Sequence, residues 1–274
     1  MQTRTDETIS FNYQLIPCTN LKDFLTTRYT IVYEAIRLIE GIPLFWEGHW
    51  NRLTNSLDAI DSKIILQKEK FEKNLALLIT QNEYLNTNIR IEIFGENILM
   101  YAISAVYPIL SNYENGVEVN FINAIRPNPT RKILRRSWAK MMELKINNSG
   151  VFESLMINDQ GLITEGSHTN VFFIKGNTLY SADESLILPG ITRIEILHIA
   201  ENKSAPLVYI PVIPKDVINF DAAFLCATSL HILPISKINE QSFDINNDLM
   251  RSLMLDFQDL IRYELADVKT KWGK

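Results

Sequence analysis

The stretch from Leu162 to Arg193, LITEGSHTNVFFIKGNTLYSADESLILPGITR, carries the densest set of chemically useful residues in the chain. Glu165 stands just before Gly166, where an apolar run leads into a turn. A carboxylate at a strand end can be aimed into an interior site. Pro189–Gly190–Ile191–Thr192 reads as a helix start, and the N–H groups of a first turn cradle anions such as phosphate. Thr228–Ser229 ends another apolar strand, and its N–H and hydroxyl groups suit the same task. Taken singly, these residues also fit plainer roles: Gly190 a turn residue, Thr192 a helix-start residue, Glu165 a solvated turn acid. Their order along the chain is what carries weight.

Other chemistries find no template. There is no G-x-S-x-G elbow, no H-E-x-x-H, no Walker A run and no G-x-G-x-x-G. His49, His168, His198 and His231 are scattered without metal-ligand spacing. Cys18 and Cys226 read as small packing residues.

The elements that must hold these residues follow from periodicity. Thr30–Leu38 is β-branched and aromatic and predicts a strand. Apolar spacings from Trp50 through Leu53, Leu57 and Ile60 predict an amphipathic helix, and a second is expected across Glu69–Ile79. Ile89–Phe94 and Ile98–Val106 flank Gly95–Glu96–Asn97 as a hairpin. Pro108–Gly116 is polar and turn-rich and reads as a boundary between two lobes. After a strand at Val117–Ile125, Pro127 and Pro129 exclude a helix, and the basic run Arg131–Arg136 opens a helical stretch to about Asn147. Short strands then follow at Ser154–Asn158, Ile163–Thr164, Val171–Ile174 and Thr178–Tyr180, with a helix at Ile191–Glu201. Strands at Leu207–Val212, Ala222–Ala227 and Ile232–Ile238 and a helix over Asn247–Ala266 complete the chain. Hairpins dominate, so the expected class is α+β with mostly antiparallel sheet.

Composition narrows the partners. The 274 residues suffice for one large domain or two modest ones. A net charge of −5 argues against a broad grip on nucleic acid or anionic membrane. No apolar run approaches a membrane span, and the first residues lack the apolar core of a signal peptide, so a cytoplasmic protein is expected.

Read in order, the segments YEAIRLIEGIPLFWEGHWNRL, NPTRKIL, LMINDQGLITEGSHTNVFFI, LPGITR and FLCATSLHILPI resemble the fold-type IV family of pyridoxal-phosphate enzymes. That family holds the branched-chain and D-amino-acid aminotransferases and aminodeoxychorismate lyase. The resemblance runs from about Tyr33 to the end of the chain. It implies a two-lobed α+β (α/β) fold: a smaller N-terminal α+β domain over 1–110, a linker at 111–116, and a larger cofactor-binding domain over 117–274, mostly antiparallel β with flanking helices. It also implies pyridoxal 5'-phosphate as cofactor, amino acid and 2-oxo acid as substrates, and a homodimer, with no metal, nucleic acid or membrane.

Roles follow by position. Arg52, in the H-x-x-R-L of His49–Leu53, looks like the arginine that holds the cofactor phosphate. Glu165 looks like the carboxylate facing the pyridine nitrogen. Ile191, Thr192 and Thr228 look like the phosphate cup, and Asn170 matches a structural position. The resemblance implies a cofactor-bearing lysine a little over twenty residues before the strand at Glu153–Asn158; Lys132, twenty-one positions before Glu153, matches it, whereas Lys140 and Lys145 stand too close and Lys175 sits in a hairpin turn. Lys132 is therefore what the resemblance implies as the catalytic, cofactor-bearing lysine. Arg136 and Ser137 both stand where relatives place a group near the ring hydroxyl.

The chain departs from its relatives on the substrate side. Many carry a Y-G-D-G-like turn before the first shared strand, whereas Thr27–Glu34 has no glycine. The carboxylate-binding arginine of D-amino-acid aminotransferases would fall near Val106–Tyr107, where neither residue is basic; Arg28 and Arg90 are stand-ins. Tyr29 and Tyr33 are expected to line the substrate pocket. The expected activity is amino transfer between a small, branched-chain or hydrophobic amino acid and a 2-oxo acid. Aminodeoxychorismate lyase, releasing p-aminobenzoate and pyruvate, is the alternative. A non-catalytic homodimeric binding protein that kept the fold is a third reading, resting on the altered segment near Tyr29.

Overall fold

A computed structural model describes residues 7–25, 29–105 and 107–272. Arg28 and Val106 fall outside the described residues. The chain divides into two compact units: one of Met1–Val106, Lys132–Arg136 and Ile261–Lys274, the other of Tyr107–Arg131 and Ser137–Leu260.

The first unit is built on an antiparallel sheet of seven strands. Its order is Gln14–Pro17, Thr8–Phe11, Asn97–Ile103, Asn88–Phe94, Ile31–Ile39 and Ile42–Pro43, with Ile133–Leu134 also pairing with Ile31–Ile39. Strand alternation divides its labour. Val32, Ile36 and Leu38 face the core with Ile89, Ile91 and Ile93. Helices Trp46–Asp58 and Lys68–Gln81 cover that face with Trp46, Trp50, Leu53, Leu57, Phe71, Leu75 and Leu78. The other face carries chemistry. Tyr33 stands opposite Glu92, Ala35 opposite Arg90, and Arg90 opposite Tyr101, so these side chains share one side.

The basic run 131–136 differs from its expected helix. Ile133–Leu134 is a short strand on Ile31–Val32, and the helix begins only at Arg136. Two apolar residues, Ile133 and Leu134, stand there between two charged pairs, a pattern too short to favour either period. Pairing with an existing strand edge decided between them. Two further differences are local. Pro108–Gly116 contains a short helix, Leu110–Asn115, and Thr8–Phe11 and Gln14–Pro17 form a hairpin that the sequence did not announce.

The second unit holds a mixed sheet of nine strands. The order is Ile163–Gly166, Glu153–Ile157, Val117–Asn123, His231–Ile238, Ala222–Ala227, Asn170–Lys175, Thr178–Ser181 and Leu207–Tyr209, with Gln241–Ser242 beside His231–Ile238. Most pairs are antiparallel. Val117–Asn123 runs parallel to both its neighbours, and Thr178–Ser181 runs parallel to Leu207–Tyr209. Parallel neighbours need a crossover. Helix Arg136–Ser149 connects the first such pair, and Ile191–Asn202 connects the last. The expected α+β class holds. Val119, Leu155, Val171, Phe173, Leu225 and Leu233 lie in one buried cluster that fixes the strands carrying the site residues. Among the described residues no helix is long and apolar enough to cross a membrane.

Gly116 joins helix Leu110–Asn115 to strand Val117–Asn123 at φ +71°, a region that side chains rarely enter. An added Cβ would lie 2.8 Å from the backbone nitrogen of Ser236. Gly116→Ala is therefore expected to cost about 2 kcal/mol or more, read as a lower midpoint in urea with unchanged slope.

Candidate active site

In the first unit the segment bearing Lys132 is fixed by backbone bonds. The Tyr33 N–H donates to the Lys132 carbonyl at 3.0 Å, and the Lys132 N–H donates to Ser56 Oγ at 3.3 Å. The lysine is half-buried, with Nζ 5.1 Å from the Tyr33 ring centroid. The Arg90 guanidinium lies 4.6 Å from the same centroid, and its buried Nε has no hydrogen-bond partner among the described residues. Tyr29, more than half exposed, stacks its ring near Phe94 at 6.3 Å.

Glu92 is fully buried beside Tyr33 on that face. Its carboxylate accepts from Tyr101 Oη at 2.7 Å and from Arg136 Nη2 at 2.5 Å. Burial, reinforced by Glu92, pushes the Tyr101 phenol well above its ordinary range. Of the two residues expected near the ring hydroxyl, Arg136 is committed to Glu92, while Ser137 is exposed.

Arg52 is buried on helix Trp46–Asp58. Its Nε donates to Glu34 Oε1 at 2.8 Å and its Nη2 to Glu34 Oε2 at 2.7 Å. His49 Nδ1 is also 2.7 Å from Glu34 Oε2. Burial alone would raise the Glu34 pKa, but Arg52 and then His49 hold its carboxyl well below the usual carboxylate range. Burial pushes His49 below the ordinary imidazole value, with Glu34 opposing, so its ring is neutral and donates through Nδ1. Neither Glu34 nor the His49 contact stood out in the sequence. The only signal was a polar residue at a core-facing position of an alternating strand.

In the second unit Glu165 is almost fully buried on strand Ile163–Gly166. Oε2 accepts from Asn170 Nδ2 at 3.1 Å and from the Leu188 N–H at 3.0 Å; Oε1 accepts from Arg126 Nε at 2.5 Å. Arg126 also donates to the Ser167 carbonyl at 2.8 Å and lies over Trp138. Arg126 escaped sequence reasoning because it precedes the Pro127–Asn128–Pro129 break with no local partner. Asn170, read as structural, is bonded to Glu165 and to the Leu188 carbonyl. Gly190 is explained by the same residue, since a Cβ there would lie 2.1 Å from Asn170 Oδ1.

Helix Ile191–Asn202 starts at Gly190 without a side-chain cap, and its first hydrogen bond runs from Ile194 N to Gly190 O. The N–H groups of Ile191, Thr192 and Arg193 therefore precede the helical ladder. Thr192 Oγ1 is buried with no partner among the described residues. A first turn with an orphaned hydroxyl fits a phosphate, which accepts from every such donor. Thr228 is half-buried in the turn after Ala222–Ala227. Both cysteines are buried, and burial pushes the Cys226 thiol up to about 12, so it serves packing. No metal-binding group of three or more His, Cys, Asp or Glu residues occurs among the described residues.

The family model for amino-transferase class IV matches residues 31–238, and the chain belongs to that family. Class IV aminotransferases depend on pyridoxal 5'-phosphate, and by class this chain is a PLP-dependent transaminase. The D-alanine aminotransferase of Bacillus licheniformis is 25% identical over 228 residues, covering 77% of this chain and 80% of that protein. The aminodeoxychorismate lyase of Bacillus subtilis is 25% identical over 234 residues, covering 77% and 78%. The crystal structure of the branched-chain aminotransferase from Thermoproteus uzoniensis, with norvaline, has the same fold. Its TM-score is 0.81 at 18% identity, covering 96% of this chain and 97% of that one.

Removing Arg126 would leave the Glu165 carboxylate buried without its cation. Arg126→Met is expected to lower stability by about 3 kcal/mol, measured by urea unfolding at neutral pH.

Proposed function

We propose that the protein moves an amino group between a small, branched-chain or hydrophobic amino acid and a 2-oxo acid. The supporting observation is that Lys132 Nζ and the Arg90 guanidinium lie against one ring, that of Tyr33, at 5.1 and 4.6 Å from its centroid. A nucleophilic amine and a carboxylate-binding cation so close together suit the two ends of an amino acid.

Bound pyridoxal 5'-phosphate would supply an electron sink for the substrate's α-carbon. Lys132 would hold it through Nζ and, once released, carry the α-proton as general base. Glu165 would face the pyridine nitrogen, its position set by Asn170, the Leu188 N–H and Arg126. Arg52, the Ile191 and Thr192 N–H groups, Thr192 Oγ1 and Thr228 would take the phosphate. Arg90 would take the substrate carboxylate, and the rings of Tyr33 and Tyr29 would supply apolar surface beside it. On this reading Glu92 keeps Arg136 neutralised, and Arg90 is the cation that, among the described residues of that sheet face, is offered to the substrate. The working unit is taken to be a homodimer, which light scattering at working concentration checks.

The test is a panel of amino donors with 2-oxoglutarate or pyruvate, followed by the 2-oxo acid formed. Branched-chain and other hydrophobic donors are expected to turn over, and Arg90→Gln to raise KM about tenfold or more by loss of one charged contact. Release of p-aminobenzoate and pyruvate from aminodeoxychorismate, with no donor active, would move the protein to the lyase reading. Borohydride reduction and peptide mass spectrometry should place a phosphopyridoxyl group on Lys132; an adduct on Lys140 or Lys145 would remove that assignment.

A further inference from the structure

Helix Trp46–Asp58 carries two hydroxyl side chains, Thr54 and Ser56, with different duties. Thr54 Oγ1 donates back to the Trp50 and Asn51 carbonyls at 3.2 and 3.0 Å, the usual occupation of a hydroxyl inside a helix. Ser56 is buried and makes no such bond among the described residues; its Oγ accepts the Lys132 N–H at 3.3 Å. Alanine is the better helix former at such a position, so the helix itself gains nothing from this hydroxyl. We infer that Ser56 is a positioning residue for the reactive amine: by taking the Lys132 N–H it sets the angle at which that side chain leaves its strand. The inference rests on the reading of Lys132 as the cofactor-bearing lysine.

Strand pairing shows how the angle is set. Ile31 stands opposite Leu134 and Val32 opposite Ile133, and the same register brings Tyr33 opposite Lys132. Two opposed antiparallel residues that bond to each other exchange both N–H groups. Tyr33 gives its N–H to the Lys132 carbonyl at 3.0 Å, but Lys132 gives its own to the Ser56 hydroxyl. The chain thus leaves the ladder at the lysine and turns one peptide toward the helix. Lys132 Nζ, at the end of its four-carbon stem, lies 5.1 Å from the Tyr33 ring centroid. Tilting the Cα–Cβ bond by about 10° carries the tip of an extended lysine by about 1 Å, and such a misplacement costs a reaction up to about a hundredfold. Rotation about the stem recovers part of that loss.

The test uses the full chain, freed of cofactor and then supplied with pyridoxal 5'-phosphate. Condensation is followed by absorbance, and the product is located by borohydride reduction and peptide mass spectrometry. Ser56→Ala is expected to form the Lys132 adduct about tenfold more slowly than the wild type, and to lower kcat about tenfold with the donor KM within about twofold. Ser56→Thr, which keeps the acceptor oxygen, is expected to bring the adduct rate back to within about threefold of the wild type. Should the extra methyl keep that variant from folding, Ser56→Cys takes its place. Its sulfur is a weak acceptor, and an adduct rate between those of the wild type and Ser56→Ala is required of it. A Ser56→Ala adduct rate equal to that of the wild type, whatever its midpoint in urea, would leave the serine structural and overturn the inference. A rescue variant no faster than Ser56→Ala would overturn it as well. If the wild-type adduct lies on another lysine, the reading of Lys132 falls and the inference falls with it.

Discussion

Everything the first unit can do depends on the pairing of a two-residue strand, Ile133–Leu134, with Ile31–Val32. The flanking chain, Tyr107–Arg131 and Ser137–Leu260, folds into the second unit. Returning Lys132–Arg136 to the first sheet requires a long excursion to be closed, at an entropic cost that a short strand offsets only with help. That help is visible. The Tyr33 N–H and Ser56 hydroxyl hold Lys132, Leu134 packs with Ile31 and Leu99, and Arg136 is tied to Glu92. A lysine on a free loop would sample many positions. Held by its backbone at two points, this one has only its own side chain left to move.

Buried carboxylates repeat a single solution. Glu34 is matched by Arg52, Glu92 by Arg136 and Glu165 by Arg126, and each takes a further donor from a neutral group: His49, Tyr101, and Asn170 with the Leu188 N–H. A buried charge left alone is too costly to keep, and a paired one is held in a narrow geometry. Glu153 shows the contrast. Also buried, it is held by neutral donors: it accepts from the Ser154 and His168 N–H groups and from Ser167 Oγ, which pins the turn after Glu165. These arrangements confer position more than stability, and position is what a reaction between three small molecules demands.

Local signals were legible where one period dominated. Asn88–Phe94 alternates plainly, Ile31–Ile39 is rich in β-branched and aromatic residues, and the stripe from Trp50 to Leu57 could be only a helix. The helix start at Gly190–Thr192 and the carboxylate at Glu165 were legible from turn chemistry and order. Arg126, Glu34 and Glu92 were not. Each acts through a partner distant in the chain, and a charged residue on an alternating strand looks the same whether it faces water or a buried guanidinium.

The sequence by itself determined most of the elements, the α+β class and, through the order of its motifs, the family and the residues expected to meet the cofactor. Those follow from periodicity, turn chemistry and residue type, which act over a few positions. Only the tertiary structure decided that Ile133–Leu134 is a strand, that Arg136 belongs to Glu92, and that Arg52 is gripped side-on by Glu34. Those outcomes depend on which distant segments share a sheet edge or a helix face, and on buried charges finding the partners that make their burial tolerable.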